Sequence, residues 1–123
     1  APINVPVYIW RTNQVLITLR AKDFAFVLEE SLSHIFQIIH ANRLRVSLIQ
    51  SSAVTISVCV DNSRFIAKAI EQLQDAYRVT WNENLSLLTI RGTTPDILKQ
   101  EQQGRDILLS QLTRRTAKLV IKD

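Results

Sequence analysis

The residues of this sequence that could do chemistry are few and widely spaced. His34 and His40 lie on one predicted helix, about 240° apart around its axis, so they do not share a face and do not make a metal site. The only cysteine, Cys59, lies in a predicted strand among small residues with no histidine nearby in sequence, and a packed thiol is expected there. These residues predict no metal, no cofactor and no nucleophile.

The densest group of acidic residues is Asp23, Glu29 and Glu30. The two glutamates fall in the first turn of the predicted helix, where the helix dipole favours negative charge, so they need no catalytic role. Gly92 and Gly104 are the only glycines, which argues against a glycine-rich phosphate-binding loop. With no catalytic residues in view, we predict that this chain is not an enzyme and that it is a small regulatory or binding module.

Composition places the chain among ordinary globular proteins. Its 123 residues are 46% hydrophobic and 21% charged, enough for one compact domain or two very small ones. No run approaches the roughly 18 apolar residues of a membrane span, and the first residues lack the pattern of a secretory signal. A single cysteine fits a reducing compartment, so we predict a cytoplasmic protein. Because the sequence starts with Ala1 and no methionine, we also expect a fragment of a longer chain.

The net charge of +4 raises nucleic acids and acidic surfaces as possible partners. The basic residues are scattered, apart from the pairs Arg43 with Arg45 and Arg114 with Arg115, and scattered cations usually form a solvated surface. RNA-recognition sheets stack bases on aromatic residues of their central strands, whereas the predicted strand Val54–Val60 has none. We therefore predict no nucleic-acid partner, and a basic nucleic-acid binder is retained only as an alternative.

Hydrophobic periodicity predicts strands and helices over most of the chain. Alternating apolar residues predict strands, and apolar residues at three- and four-residue steps predict helices. The predicted elements are, in order, strands Val5–Trp10 and Gln14–Arg20, a helix from Leu28 to near Asn42, strands Leu44–Leu48 and Val54–Val60, a helix capped by Asn62 or Ser63, and a hairpin of Tyr77–Trp81 and Leu85–Arg91 that turns at Asn82–Asn84. The buried faces of the two helices are predicted to hold Leu28, Leu32, Ile35, Phe36 and Ile39, and then Phe65, Ile66, Ala69, Ile70 and Leu73.

From Gln14 to about Trp81 the order is strand, helix, strand, strand, helix, strand. This order is typical of a split βαβ, or ferredoxin-like, unit of the α+β class. It predicts an antiparallel sheet with both helices on one face. The opposite face is predicted to carry the small residues Ala53, Thr55, Ser57 and Cys59.

The rest of the chain predicts a second, incomplete copy of the same unit. Its predicted elements are the strand Leu85–Arg91, a helix that opens at Thr93–Asp96 and ends near Gly104, and a hairpin of Ile107–Leu112 and Thr116–Ile121. No second helix follows, so this unit is expected to recruit Val5–Trp10 from the other end of the chain. The predicted domains are residues 14–84, and residues 1–13 together with 85–123.

Several segments, in order along the chain, resemble the ACT domains of aspartokinases. The longest is RVSLIQSSAVTISV at Arg45–Val58, in which a strand, a serine-rich turn and a second strand precede Asp61. Further similar segments are Gln14–Leu19, Asn84–Gly92 and Ile107–Thr116. The resemblance covers essentially the whole chain, and it implies two ferredoxin-like ACT units of βαββαβ type, the first inserted into a second, incomplete one.

The resemblance also implies a function. Aspartokinases phosphorylate aspartate in lysine, threonine and methionine biosynthesis, and their ACT domains bind an end-product amino acid, lysine or threonine, and inhibit the kinase. The kinase domain would lie upstream, this fragment would itself catalyse nothing, and a homodimer would form through the first ACT unit. The effector would bind where two first units meet, against a loop and helix start with Asp23, Phe26, Glu30, Ser31 and Leu32 and against a strand and turn with Val46, Ser47, Leu48, Gln50, Ser51 and Ser52.

General chemistry is compatible with this implied site. Backbone N–H groups at a helix start attract a carboxylate, and hydroxyls and carbonyls at Val46, Ser51 and Ser52 would take an ammonium group. Two positions depart from the family pattern: Glu30 stands where many ACT loops carry glycine, and Ser47 stands where lysine-sensing members often carry aspartate. These departures keep an alternative open, a ligand-free ACT dimerisation module with a structural role.

Overall fold

The computed structural model describes residues 5–22 and 28–123. The described chain contains six strands and three helices, which confirms the predicted α+β class. They are β1 (Val7–Ala21), α1 (Leu28–Ala41), β2 (Val46–Ser51), β3 (Thr55–Asp61), α2 (Ile66–Gln74), β4 (Tyr77–Arg91), α3 (Pro95–Gln102), β5 (Ile107–Leu112) and β6 (Thr116–Lys122). Within the described residues, the helices are all too short or too polar to cross a membrane.

The chain divides into two compact units. The first unit is Val15–Glu83, and the second comprises residues 5–14 and Asn84–Asp123. The two long strands β1 and β4 each contribute one half to each unit, because the division falls inside both strands.

The first unit has the strand order β4-β1-β3-β2, which is that of a ferredoxin-like sheet. Helices α1 and α2 contact each other and bury one face each against this sheet. The core contains Val15, Ile17 and Leu19 of β1, Ile35 and Ile39 of α1, Ile56, Val58 and Val60 of β3, and Ile66, Ala69, Ile70 and Leu73 of α2. The side chain of Leu28 lies outside the described part of the chain; for the other predicted residues, both helix faces are confirmed with one exception.

The exception is Phe36, which the sequence predicted to lie on the buried face of α1. Its side chain is 43% exposed, whereas its neighbour Ile35 is fully buried. Successive helical residues point about 100° apart, and the buried stripe of α1 is centred on Ile35 and Ile39, so Phe36 lies at its solvent side.

Hydrogen bonds tie the helices of the first unit to each other and to the sheet. The amide nitrogen Nδ2 of Asn42 donates to the carbonyl of Ile38 at 2.8 Å and to Oε1 of Gln72 on α2 at 2.7 Å. His34 Nδ1 on α1 and Tyr77 Oη on β4 are 3.1 Å apart. Helix α1 ends at Ala41, close to the predicted end near Asn42, and the left-handed residue after it is Arg43, with φ 57°.

The predicted cap of the second helix is also corrected. Helix α2 begins at Ile66, and its N-cap residue Phe65 makes no side-chain cap. The Ser63 hydroxyl instead accepts a hydrogen bond from the Phe65 N–H at 3.3 Å, which shapes the turn before the helix.

The second unit has the corresponding strand order β1-β4-β6-β5 and a single helix, α3. As predicted, Thr94 and Pro95 start α3, and the Thr94 hydroxyl accepts from the Ile97 N–H at 3.3 Å. The core cluster is formed by Leu88, Ile90, Ala117, Leu119 and Ile121, with Ile97 and Leu98 of α3 packed against it. Gly104 follows α3 with φ 68°, a conformation that suits glycine.

Two predicted breaks in strands are wrong. The sequence predicted separate strands before and after residues 11–13, and a hairpin turn at Asn82–Asn84, but β1 and β4 each run without interruption for 15 residues. Asn13 has φ 54° and Asn84 has φ 60° within these strands. Asparagine tolerates this left-handed conformation, so one such residue bends the strand locally without reversing the chain.

The two units repeat each other in detail. The segments Asn13–Arg20 (NQVLITLR) and Asn84–Arg91 (NLSLLTIR) both begin with a left-handed asparagine, and Trp10 and Trp81 each precede that asparagine by three residues. Both units therefore start from the same type of strand.

The hairpins β2–β3 and β5–β6 repeat each other as well. Each has one register shift at the corresponding place, between Val46 and Leu48 in the first and between Ile107 and Leu109 in the second. The N–H of Ser52 donates to the carbonyl of Thr55 at 2.8 Å, and the N–H of Thr113 donates to that of Thr116 at 2.9 Å. Corresponding residues of the two hairpins can therefore be assigned one by one.

Candidate functional site

The predicted effector-binding strand is β2, which ends the strand order of the first unit. Val46 and Ile49 pack against the core beneath the helices. Because successive strand residues point to opposite faces, Leu48 and Gln50 lie on the other face, where Gln50 pairs with Ser57. The structure thus divides the predicted residues of β2 between the two faces of the sheet.

The two predicted serines lie at the end of β2 and at the start of the turn after it. Ser51 and Ser52 are both exposed. The Ser52 hydroxyl donates to the carbonyl of Thr55 at 3.4 Å, beside the hydrogen bond that its backbone N–H makes to the same oxygen. Ser52 therefore helps to close the turn, and its lone pairs can accept a hydrogen bond from an ammonium group.

The start of α1 contributes the remaining predicted residues. Glu30 is exposed, Ser31 is half-buried, and Leu32 packs against the core that Val46 also contacts. Asp23 and Phe26 lie outside the described residues. Glu30 lines a shallow depression of about 440 Å³ on the outer side of α1, together with Glu29, Ser33, His34 and Gln37.

A groove of about 570 Å³ lies beside α2 in the first unit, and sequence reasoning missed it. Trp81, 44% exposed, and Glu83 lie on one side of the groove, on β4, and Arg64 and Glu71 come from the residues before α2 and from α2 itself. The Arg64 guanidinium stands 4.9 Å from the centre of the Phe65 ring. No signal in the sequence pointed to this groove, because Glu83 was predicted to lie in a turn and only the continuous strand β4 puts it two residues after Trp81 on one strand.

A third cavity, of about 410 Å³, lies on the sheet of the second unit. It is lined by Thr89, Arg91, Gln111, Thr113, Thr116 and Lys118. This combination of two cations, three hydroxyls and a carboxamide is suited to hold an anion.

Metal chemistry has no centre in the described part of the chain. No group of three or more His, Cys, Asp or Glu side chains is clustered there. Cys59, the single cysteine of the sequence, is fully buried in β3.

Comparison with known proteins relates this fold to others. No protein-family model matches the sequence, and no curated protein is significantly similar to it. The chain matches a structure described as the C-terminal regulatory domain of aspartate kinase from Porphyromonas gingivalis W83, with a TM-score of 0.84 and 14% identity over 98% of this chain and 88% of that one.

Two further solved structures are similar. Escherichia coli aspartokinase III in complex with lysine and aspartate, in the T-state, matches with a TM-score of 0.75 and 17% identity over 94% of this chain and 29% of that one. The regulatory subunit of aspartate kinase from Thermus flavus matches with a TM-score of 0.69 and 14% identity over 94% of this chain and 86% of that one. The chain has the fold of the C-terminal regulatory domains of aspartate kinases.

Proposed function

We propose that this chain is an amino-acid-sensing allosteric regulatory domain of an aspartate kinase. The observation that carries the proposal is the fold match over 98% of this chain to a regulatory domain. The chain spans only 29% of the length of the aspartokinase III chain, so the kinase activity would reside in a separate domain upstream. The domain would act in the cytoplasm, a reducing compartment that suits a sequence with a single cysteine.

We propose lysine or threonine as the effector, because these are the end products that the family senses. It would bind where two first units meet, against the start of α1 and against β2 and its turn. The exposed Ser51 and Ser52, and the half-buried Ser31 and Ser47, provide hydroxyls and backbone groups for the ammonium and carboxylate of an amino acid. The exposed position of Glu30, on the outer side of α1, leaves its side chain room to turn away from a bound carboxylate.

The homodimer would form through the first unit. Strand β2 ends the strand order of that unit, and a strand at the edge of a sheet is a position where a second copy can add its own strand. An effector bound between two copies favours the dimer arrangement that it fits better. It would thereby shift the population of the attached kinase toward the inhibited state.

The test is thermal unfolding of this chain with lysine, threonine, methionine, S-adenosylmethionine or buffer alone. A ligand at about 100 times its dissociation constant stabilises by roughly 2.7 kcal/mol, which raises the melting temperature by several degrees. A rise with lysine or threonine alone is expected. Stabilisation by methionine or S-adenosylmethionine instead would contradict the effector assignment.

A matched pair of variants tests the position of the site. Ser52 and Thr113 occupy the same place in the two hairpin turns, and both hydroxyls donate to a carbonyl three residues later at 3.4 Å. S52L and T113L should therefore lose similar turn stability. Only S52L is expected to abolish the amino-acid response; an equal loss in both variants would place the effector elsewhere.

A ligand-free dimerisation module is the second candidate. It is favoured by the division of the β2 residues between two faces and by the hydrogen bond that engages the Ser52 hydroxyl. Sedimentation together with the thermal screen separates the two functions. A stable dimer with no thermal response to any of the four compounds would favour the structural role.

A further inference from the structure

The sheet of the second unit has one face covered by α3. The opposite face buries the apolar residues Leu85, Leu87 and Val120 and is polar only at one end, and this end is the polar face of the unit. Leu88 and Ile90 of β4 point into the core below α3. Because side chains alternate along a strand, Thr89 and Arg91 point to the opposite face. Strand β6 alternates in the same way, with Ala117 and Leu119 in the core and Thr116 and Lys118 opposite.

Strand pairing brings these polar residues together. Lys118 pairs with Thr89 on one side and with Gln111 of β5 on the other, so the three form one row across the sheet. Arg91 pairs with Thr116 in the next row. Arg91 and Lys118 are thus diagonal neighbours, whose Cα atoms lie about 7–8 Å apart in such ladders, and both side chains are long enough to reach one small ligand.

The charges on this face are not balanced by the protein. The cavity of about 410 Å³ is lined by Arg91, Lys118, three threonines and Gln111, with no carboxylate in the lining. Within the described residues, neither Arg91 nor Lys118 has an ionic partner. Thr89, Thr116 and Lys118 are half-buried, whereas Arg91 and Thr113 are exposed, so the cavity is open to solvent on one side.

The first unit supplies an internal comparison. Its corresponding positions are Thr18, Arg20, Gln50, Ser52, Thr55 and Ser57, and each has the same degree of burial as its counterpart. One change alters the charge, since Ser57 stands where the second unit has Lys118. The same arrangement of hydroxyls, arginine and carboxamide therefore carries one cation in the first unit and two in the second.

We propose that the polar face of the second unit binds a small anion whose charge is shared by several oxygens, a phosphate or a carboxylate. The Arg91 guanidinium offers paired N–H donors, Lys118 offers a second positive charge, and the threonine hydroxyls donate to the remaining oxygens. An anion between Arg91 and Lys118 also relieves the repulsion of two unpaired cations. This site is separate from the amino-acid site and does not depend on it.

The experiment is a titration of the isotope-labelled chain, followed by amide NMR shifts, with inorganic phosphate, pyrophosphate or citrate. Ionic strength is held constant with sodium chloride. Saturable shifts are expected in Thr89, Arg91, Gln111, Thr116 and Lys118 for at least one of these anions. Saturation by phosphate alone would assign the site to phosphate oxygens, and saturation by citrate alone would assign it to carboxylate oxygens. Shifts spread over all surface cations, or no saturable shift with any anion, would overturn the proposal.

Variants make the test specific. Replacing Lys118 by serine, the residue of the first unit, is expected to weaken binding by about tenfold, since it removes one charged donor. Lys122→Ser, an exposed change on the same strand outside the cavity lining, should leave affinity unchanged. Ser57→Lys should create a second anion site, on the first unit. Equal affinities of K118S and K122S would contradict the assignment even if anions bind.

The proposed anion site is independent of the proposed function. Lysine and threonine carry no net negative charge, and they would shift amides of α1 and β2 in the first unit. Loss of the amino-acid response with anion binding intact would overturn only the proposed function. The opposite pattern would overturn only the anion site.

Discussion

The two units of this chain have the same sheet but different helical cover. The first unit has helices of 14 and 9 residues, α1 and α2, and both bury side chains in the core. The second unit has one helix of 8 residues, α3, which buries no residue fully. Strand order, the register shift and the turn hydrogen bonds are nevertheless the same in both. The sheet and its hairpin are thus maintained by strand pairing, with or without a second helix.

The N-terminal half of β1, which belongs to the second unit, leaves several apolar side chains exposed. In the second unit, Val7, Tyr8, Ile9 and Trp10 of β1 are each at least 40% exposed, although they belong to an apolar strand. The Arg105 guanidinium stands 5.1 Å from the centre of the Trp10 ring and covers part of it. Among the described residues, the core cluster of the second unit is the smaller one, and its part of β1 exposes apolar surface.

The largest expected effect compares the two cores at corresponding positions. Ile17 and Leu88 are both buried, and truncation of either to alanine should cost about 2–5 kcal/mol. We expect the cost of I17A to lie at the upper end of this range, because the core of the first unit is larger and collapses less easily around a cavity. Urea unfolding followed by fluorescence measures this cost, and Trp81 and Trp10 report on the first and the second unit.

The reverse order of the two stability costs would contradict this expectation. If L88A costs more than I17A, the smaller core is the more tightly packed of the two. W10F and W81F, each combined with either variant, are the controls that assign each fluorescence transition to one unit.

The next effect concerns the two left-handed asparagines. Asn13→Val and Asn84→Val should each destabilise by about 1–2 kcal/mol, because a β-branched side chain is strained at positive φ. Asn→Gly at the same positions should be close to neutral or stabilising. Urea midpoints of the four variants check this, and a harmless N84V would mean that the bend in β4 is not required.

A smaller effect is expected from the cap of α3. Thr94→Ala should cost about 1 kcal/mol, since it removes the hydroxyl that accepts from the Ile97 N–H. Thr93→Ala, one residue earlier, is the control, because the Thr93 hydroxyl donates only to an exposed carbonyl. Circular dichroism during urea unfolding measures both. Equal costs would show that the only helix of the second unit does not depend on its cap.

The smallest effect is expected from the surface ion pair of the second unit. Arg105 Nη2 and Glu101 Oε2 are 3.4 Å apart, and both side chains are partly exposed. Glu101→Gln should therefore change the free energy of unfolding by less than about 0.5 kcal/mol. A larger loss, measured by urea unfolding at low salt, would mean that Arg105 needs Glu101 to hold its position over Trp10.

The sequence predictions were most accurate for features that depend on residues close together in the chain. The alternation at Ile56, Val58 and Val60 identified β3, because each apolar residue on one face of a strand reports burial directly. Thr94 followed by Pro95 identified the start of α3, because a cap is formed within four residues. The resemblance of ordered segments to ACT domains led to the correct fold.

The candidate site was only partly accessible to the same reasoning. The predicted residues of β2 lie where expected in the chain, but the register shift between Val46 and Leu48 divides them between two faces. The groove beside α2 joins Arg64 and Glu71 to Trp81 of β4, and no local pattern connects these residues. Strand register and helix placement decide both features.

By itself, the sequence determined the class of fold and the hydrophobic faces of the helices, because these depend on periodicity and local capping. Only the tertiary structure decided that Asn82–Asn84 continues a strand where a turn was expected. An asparagine-rich segment suits either conformation, and the choice depends on the strands that pair with it. The tertiary structure also decided that Arg91 lies near Lys118, because the pairing of β4 with β6 makes them diagonal neighbours.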